Sequence, residues 1–211
     1  MKNVIGIGAG NHCHQLIEII NQQNEYYIYN FFEIDEKKLG KDIQNIKIIK
    51  EDLLILDEHL IKDFFLGFAG NHSNYKLREK IYLKFVNHGL NPIRIIDQNA
   101  IISNSAKLSN GITILKSVII NTNVIIGENT LINNGAIIEH DVQIGNHTNI
   151  SPGVKIAGNV RIGNNVFIGL NSTIIENITI EDNAIVGAGS VVIKDVYKNT
   201  KVAGNPAKEI N

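Results

Sequence analysis

The sequence predicts two differently built parts: a small α/β domain with a parallel sheet over residues 1–91, then a parallel β-helix over residues 92–211. Three observations predict it. From Ile96 to Val192 every sixth residue is aliphatic, seventeen positions without a miss. The residue four places after each is small or β-branched, as in Ala100, Val118, Ala136, Val154 and Ser190, so two side chains per hexad point inward. Before this repeat, short apolar runs alternate with stretches of helical spacing, the signature of strands and helices taking turns along the chain.

Taken in order, "NVIGIGAG" reads as a buried strand running into a glycine turn, and "HQLIEIINQQ" as a helix through Leu16, Ile17, Ile19 and Ile20. "YYIYNFF" is a second strand ending near Glu33 and Asp35. "DFFLGFAGN" is a third, ending at Gly70-Asn71, and "NYKLREKIYLKFVNHG" is a helix closed by Gly89. The pattern changes near Asn91-Pro92. Neither the helical nor the strand period divides six, whereas a coil of three short strands, about 18 residues round, does. Residues 96–191 make sixteen hexads without insertion, so the prism is expected to be smooth. Gly127, Gly145, Gly163, Gly169 and Gly187 directly follow the aliphatic residue, and Asn fills many nearby positions; both are expected to supply unusual turn angles at the corners.

Composition narrows the function. Twenty Lys+Arg against 21 Asp+Glu give a net charge of -1, which offers no global field for nucleic acid or an anionic membrane. Cys13 is the single cysteine, so there is no internal disulfide and no Cys-rich zinc site, and the expected address is the reducing cytoplasm. No metal site is expected. The apolar start is broken by glycines within eight positions and is neither a signal-peptide core nor a membrane span.

Two stretches carry chemistry. "GIGAGNHC" partly matches the glycine-rich turn that lets a phosphate approach backbone N–H groups at a helix N-terminus, although the third glycine is missing. It reads either as a tight βα turn without a ligand or as a nucleotide site. Gly70-Asn71, at the end of a later strand, lines the same sheet edge and favours the second. "IIEHDVQIGNHTNI" sets His140 beside Asp141 in the middle of the repeat. His140 is the third residue of its hexad and is expected on the outer surface near a corner. An exposed histidine on a solvated face is the plain alternative, but a neighbouring carboxylate fixes the tautomer and strengthens a base. His147 is the rival base, at a corner position that suits a surface or interface role.

"INNGAIIEHDVQIG", "ISPGVKIAGNVRIGNNVFIG", "IVGAGSVVIKDV" and "VAGNPAK" resemble the bacterial sugar acetyltransferases named after sialic acid O-acetyltransferase. Within them the likeness is greatest to nucleotide-4-amino-sugar N-acetyltransferases, such as the bacillosamine-pathway, perosamine and viosamine enzymes, and it spans the whole chain. The resemblance implies a Rossmann-like first domain, a left-handed β-helix, a homotrimer, and acetyl-CoA in a groove between adjacent β-helices. It implies His140 as base, supported by Asp141. It also places acetyl-CoA contacts on Asn149, Gly158, Leu170 and Ala188, and nucleotide-sugar contacts on Gly10, Asn11, His12, Asp35 (or Glu33), Gly70 and Asn71. This chain departs from the pattern at Asn149, where relatives often have histidine, at Asn11, which replaces a glycine, and at "EID", which replaces paired aspartates.

The expected reaction is acetyl transfer to the 4-amino group of a nucleotide-linked 4-amino-4,6-dideoxy sugar for a bacterial glycan. O-acetylation of a sialic acid or related sugar uses the same fold and base. A trimeric β-helix acting as a non-catalytic scaffold is a reading of another class. Lys155, Arg161, Lys194, Lys198, Lys201 and Lys208 lie on or after the later coils, on a solvated face or near the CoA phosphates.

Overall fold

A computed structural model describes residues 1–70 and 73–210. Strands β1 (Lys2–Ile7), β2 (Tyr26–Glu33), β3 (Asp42–Ile43), β4 (Ile46–Lys50), β5 (Asp63–Leu66) and β6 (Asn91–Pro92) form one sheet in the order β3-β4-β2-β1-β5-β6. All neighbours are parallel except the β3–β4 hairpin. Helix α1 (Cys13–Gln23) covers one face with Leu16, Ile17, Ile19 and Ile20, all buried. Helices α2 (Leu54–Glu58) and α3 (Lys76–Asn87) cover the other, around Phe32, Phe64, Tyr82 and Phe85. The β1–α1 unit, the second strand and the last helix are where the sequence predicts them; the third strand starts at Asp63 as predicted but stops at Leu66, short of the expected end at Gly70-Asn71, because the chain leaves the sheet at Gly67. The β3–β4 hairpin and α2 are additions: the run from 42 to 58 mixes charge and aliphatics without a clean period.

The expected division at residues 91 and 92 falls inside β6, which still pairs with β5; Ile95–Ile96 opens the first coil. From there the chain winds as a parallel β-helix of two-residue strands. Ile114 pairs with Ile132 and Ile132 with Ile150, a step of 18 residues each time. Three flat faces result. The first runs from Ile95–Ile96 to Ile185–Val186 and is capped by Lys201–Ala203 and an antiparallel Lys208–Ile210; the second runs from Ile101–Ile102 to Val191–Val192; the third from Lys107–Leu108 to Thr179–Ile180. Both inward positions are filled as expected: Ile120, Val124, Ile138, Val142, Ile156 and Val160 are all buried. Backbone hydrogen bonds such as Thr113 N–H to Thr130 O and Leu115 N–H to Ile132 O join each coil to the next, so stability is built up coil by coil.

The corners correct one expectation. The left-handed positions recur every six residues at Asn123, Asn129, Gly135, Asp141, His147, Gly153, Asn159, Asn165 and onward, with φ between 52° and 72°, filled mostly by asparagine and glycine, the residue types that best tolerate them. The glycines after the aliphatic residue are needed for another reason: a Cβ on Gly145 would stand 2.7 Å from the Gly163 backbone, so these corners stack too closely for any side chain.

The two parts pack together on the first face. Helix α1 shares a buried cluster with Leu115 and Leu131, and Lys116 pairs with Glu18 at 2.9 Å. Helix α3 contributes polar contacts: Arg78 to Asn129, Glu79 to Asn165, and Tyr82 to Glu128. Among the described residues no helix is long and apolar enough to cross a membrane.

Candidate active site

His140 and Asp141 sit at the corner between the second and third faces, where the left-handed turn at Asp141 (φ 60°) swings both side chains outward. Val142 is buried directly after them and anchors the corner. His140 Nδ1 lies 2.9 Å from Asp141 Oδ2. A carboxylate only accepts, so Nδ1 carries the proton and Nε2 presents its lone pair. The other carboxylate oxygen, Oδ1, accepts from Asn123 Nδ2 at 3.0 Å, one coil earlier. The His140 and Asn123 bonds hold the Asp141 carboxyl below the usual carboxylate range, which keeps it ionised. His140 remains 53% exposed, open to a substrate from outside the prism.

Gly158, one coil later, is the floor under the imidazole. A Cβ there would stand 2.6 Å from Cε1 and 2.8 Å from Nε2 of His140, and the Gly158 backbone itself needs no left-handed angle. Glycine is present because the ring occupies its side-chain space. Sequence reasoning missed Asn123 as the third member of this group. The signal was present: once the coil is known to be 18 residues, 123, 141 and 159 stack, as do 122, 140 and 158.

The residues expected to hold acetyl-CoA do not gather around His140 within one chain. Gly158 does. Leu170, 47% exposed, and Ala188 lie one above the other at the corner between the first and second faces. Asn149 is 3% exposed on the first face, donating from Nδ2 to the Ala69 carbonyl at 2.9 Å, so it faces the α/β domain rather than solvent. His147 is also buried against that domain, edge-on to Tyr82 and bonded to Asn129, as expected for an interface residue.

The nucleotide-side residues surround the carboxyl ends of β1, β2 and β5. A cavity of about 520 Å³ is lined there by Gly8, Ala9, Gly10, Glu33, Phe68 and the Lys80 face of α3. The turn is fixed from below: Gly8 N–H donates to Phe32 O, and Ala9 N–H donates to Glu33 Oε2. Glu33 also accepts from the N–H groups of Ile34 and Asp35 and from Lys38 Nζ. Burial alone would raise its pKa, but these bonds outweigh burial and lower it. Of the acidic pair, Glu33 therefore lines the cavity, with its four acceptor positions filled, while Asp35 turns away to cap Lys37 N–H. Gly10 lines the cavity and Asn11 is exposed beside it. His12 is not among the residues lining the cavity; its Nδ1 lies 3.0 Å from Gln15 Nε2, and burial and the charge of Arg78 push it down to about 4, so it is neutral. Gly70 adopts a left-handed φ of 75°. Asn71 lies outside the described residues. Cys13 is buried, its thiol donating to Gly67 O and pushed up to about 12 by burial, so it is no nucleophile. No group of three or more His, Cys, Asp or Glu side chains able to hold a metal occurs among the described residues.

The model of the bacterial transferase hexapeptide (six repeats) matches residues 123–158, and that of the hexapeptide repeat of succinyl-transferase matches 159–194. Together the two matches cover residues 123–194, the middle and later coils of the β-helix. One curated relative, GDP-perosamine N-acetyltransferase of Escherichia coli O157:H7, is 31% identical over 104 residues; this alignment spans 47% of the chain and 45%, about half, of the relative. Among solved structures, perosamine N-acetyltransferase of Caulobacter crescentus in complex with CoA and GDP-perosamine is 28% identical, covers 100% of the chain and 98% of its own, and superposes with a TM-score of 0.91. A histidine-to-alanine mutant of that enzyme, with the same two ligands, superposes at 0.92. The acetyltransferase domain of PglB from Neisseria gonorrhoeae, in complex with acetyl coenzyme A, has the same fold at 24% identity, 99% coverage of both chains and a TM-score of 0.87. The small α/β domain followed by a left-handed β-helix is thus a shared architecture over the full length.

Proposed function

We propose that this protein is an acetyl-CoA-dependent N-acetyltransferase acting on the 4-amino group of a nucleotide-linked 4-amino-4,6-dideoxy sugar in bacterial glycan synthesis. The observation that carries the reading is the His140–Asp141 pair, held by Asn123 and seated on Gly158, in a chain that matches an enzyme binding CoA and GDP-perosamine over its whole length. His140 Nε2 takes a proton from the sugar amine as its nitrogen attacks the thioester carbonyl. The N–C bond forms, the C–S bond breaks, and the proton passes from His140 to the departing CoA thiolate. Asp141 holds the ring in the required tautomer, and a backbone N–H of a neighbouring coil stabilises the oxyanion. No covalent enzyme intermediate is involved.

The same reading includes a homotrimer. His140 lies on one edge of the second face and Leu170 with Ala188 on the other. Three copies meeting through their second faces bring the His140 edge of one against the Leu170 edge of the next, which assembles the acetyl-CoA groove from two chains. Ile101, Ile119 and Ile137 stand outward on that face, Ile101 66% exposed, and would be covered. Gly158 is then both the seat of the base and a wall of the groove. The nucleotide occupies the cavity beside Gly8–Gly10, and the enzyme works in the cytoplasm, where both substrates are made.

The test is CoA thiol release from acetyl-CoA with a panel of GDP-, UDP- and dTDP-linked 4-amino sugars, with sialic acid and its CMP ester. Rapid release with one amino sugar is the expected result. Release with the sialic acids alone would make the protein an O-acetyltransferase, and silence with every acceptor together with no CoA binding would leave a β-helix scaffold.

A further inference from the structure

Helix α3 carries a side chain that the chemistry above does not use. Arg78 is 2% exposed, and among the described residues no carboxylate pairs with it. Its Nη1 donates to the Phe68 carbonyl and its Nη2 to Asn129 Oδ1 of the β-helix at 3.1 Å, while its guanidinium lies 5.9 Å from the centre of the Phe68 ring. Beside it the next carbonyl of the same loop, Ala69 O, is taken by Asn149 of the β-helix. Among the described residues, Arg78 Nε, Asn149 Oδ1 and His12 Nε2, the last within reach of the Arg78 charge, are buried without a hydrogen-bond partner. Burying an unneutralised cation among unpaired groups costs stability, and an apolar side chain of similar volume would pack there more cheaply. Stability alone does not account for an arginine here.

What Arg78 holds explains it. Phe68 is a wall of the 520 Å³ cavity. Its ring packs on Gly8, where a Cβ would stand 2.8 Å from it, and Gly67 just before it has no room for a Cβ because the Gly8 carbonyl would be 2.1 Å away. The path Asn129, Arg78, Phe68, Gly8 is therefore one unbroken chain of contacts from the β-helix to the glycine turn. Resting on the function proposed above, we propose that Arg78 is a positioning residue: its fork fixes Phe68 and the Gly67–Gly70 loop against the β-helix, and so shapes the nucleotide cavity in register with the acetyl-transfer corner. Burial pushes the Arg78 guanidinium down to about 10, which leaves it charged at neutral pH and able to grip two neutral acceptors at once.

The experiment compares the wild type with Arg78→Lys and Asn129→Gly, measuring both KM values, kcat, melting temperature and hydrogen exchange of the amides of residues 66–70. Lysine keeps the charge but cannot span both acceptors. Glycine keeps the left-handed turn at position 129, where φ is 52°, and removes the far anchor. Arg78→Lys is expected to raise the KM for the nucleotide sugar about tenfold while kcat and the KM for acetyl-CoA stay within about threefold. Asn129→Gly is expected to do the same to a lesser degree, and stands in if Arg78→Lys does not fold. Loop amides exchange faster in both. A lower melting temperature with both KM values unchanged would overturn the proposal, because a merely structural residue alters the amount of active enzyme and not the affinity for one substrate. A wild type that acetylates no nucleotide sugar would defeat the proposed function instead; the loop exchange then decides for Arg78, and unchanged exchange in both variants would overturn its role.

Discussion

Replacing Gly158 by alanine adds one methyl group and should disable the enzyme. The new Cβ would lie 2.6 Å from His140 Cε1, where ordinary contact begins at 3.4 Å, so something must yield by the difference, 0.8 Å. The corner is held by Asn159 N–H to His140 O and Asn177 N–H to Gly158 O, both 3.1 Å, while the ring is free on its outer side. The ring therefore swings outward. Its 2.9 Å bond to Asp141 lengthens beyond hydrogen-bond range, and Nε2 leaves the line of the attacking nitrogen. A misplacement near 1 Å costs on the order of 100-fold in rate, about 2.7 kcal/mol of barrier. Stability should not fall, since Gly158 has no left-handed angle and Gly→Ala at such a site adds about 0.4–1 kcal/mol. Thiol release under saturating acetyl-CoA reads kcat, and a thermal melt reads the fold. A kcat within about threefold of wild type, with only the KM for acetyl-CoA raised, would refute the reasoning and reduce Gly158 to a cofactor contact.

Other outcomes follow from the same geometry. Asp141→Asn should lower kcat by about 10- to 100-fold with the fold intact, because an amide can present a donor to Nδ1 and favour the wrong tautomer; an unchanged kcat would remove Asp141 from the mechanism. Co-expressing His140→Ala with a bulky Ala188→Trp should restore activity that neither variant has alone, since one groove of each mixed trimer would be intact; no restoration would place both residues in one chain's site. Folded His12 titrates at about 4 against an unfolded value of 6.5, so the unfolded chain binds the extra proton as pH falls between them. Stability is then full above about pH 6.5 and declines toward pH 4 by up to about 3 kcal/mol, and a melt that loses nothing between about pH 7 and pH 5 would contradict it. Ile138→Ala, in the prism beneath His140, should cost about 2–5 kcal/mol by opening a cavity; a smaller loss in urea denaturation would mean that the coil collapses around it.

The β-helix was legible because a hexad repeat leaves each side chain only one place to go. The 18-residue coil turns sequence distance into vertical stacking, so the Asp141–Asn123 bond and the Gly158 floor follow by adding or subtracting one coil. The corner glycines show where such reading slips: their reason is the approach of the neighbouring coil, which no local propensity reveals. The α/β domain was less transparent. The end of its second strand at Glu33 was visible, but the third strand stops at Leu66 and not at Gly70, and whether Glu33 or Asp35 faces the cavity depends on a turn closed by four hydrogen bonds. The contact between the two parts was largely hidden. Arg78 sits in a helix whose other basic residues, Lys76, Lys80 and Lys84, are exposed, and its partners Phe68 and Asn129 are 10 and 51 residues away. Asn149 illustrates the same limit: the family resemblance implies a cofactor contact there, while the fold covers it with the Ala69 loop.

The most direct measurement is acetyl transfer to the preferred nucleotide amino sugar by wild type and His140→Ala, with acetyl-CoA binding and oligomeric mass measured on the same samples. Loss of kcat by about 10²–10⁴-fold, with binding and mass unchanged, is the predicted result. A His140→Ala protein that still transfers acetyl at near the wild-type rate would contradict the account at its centre.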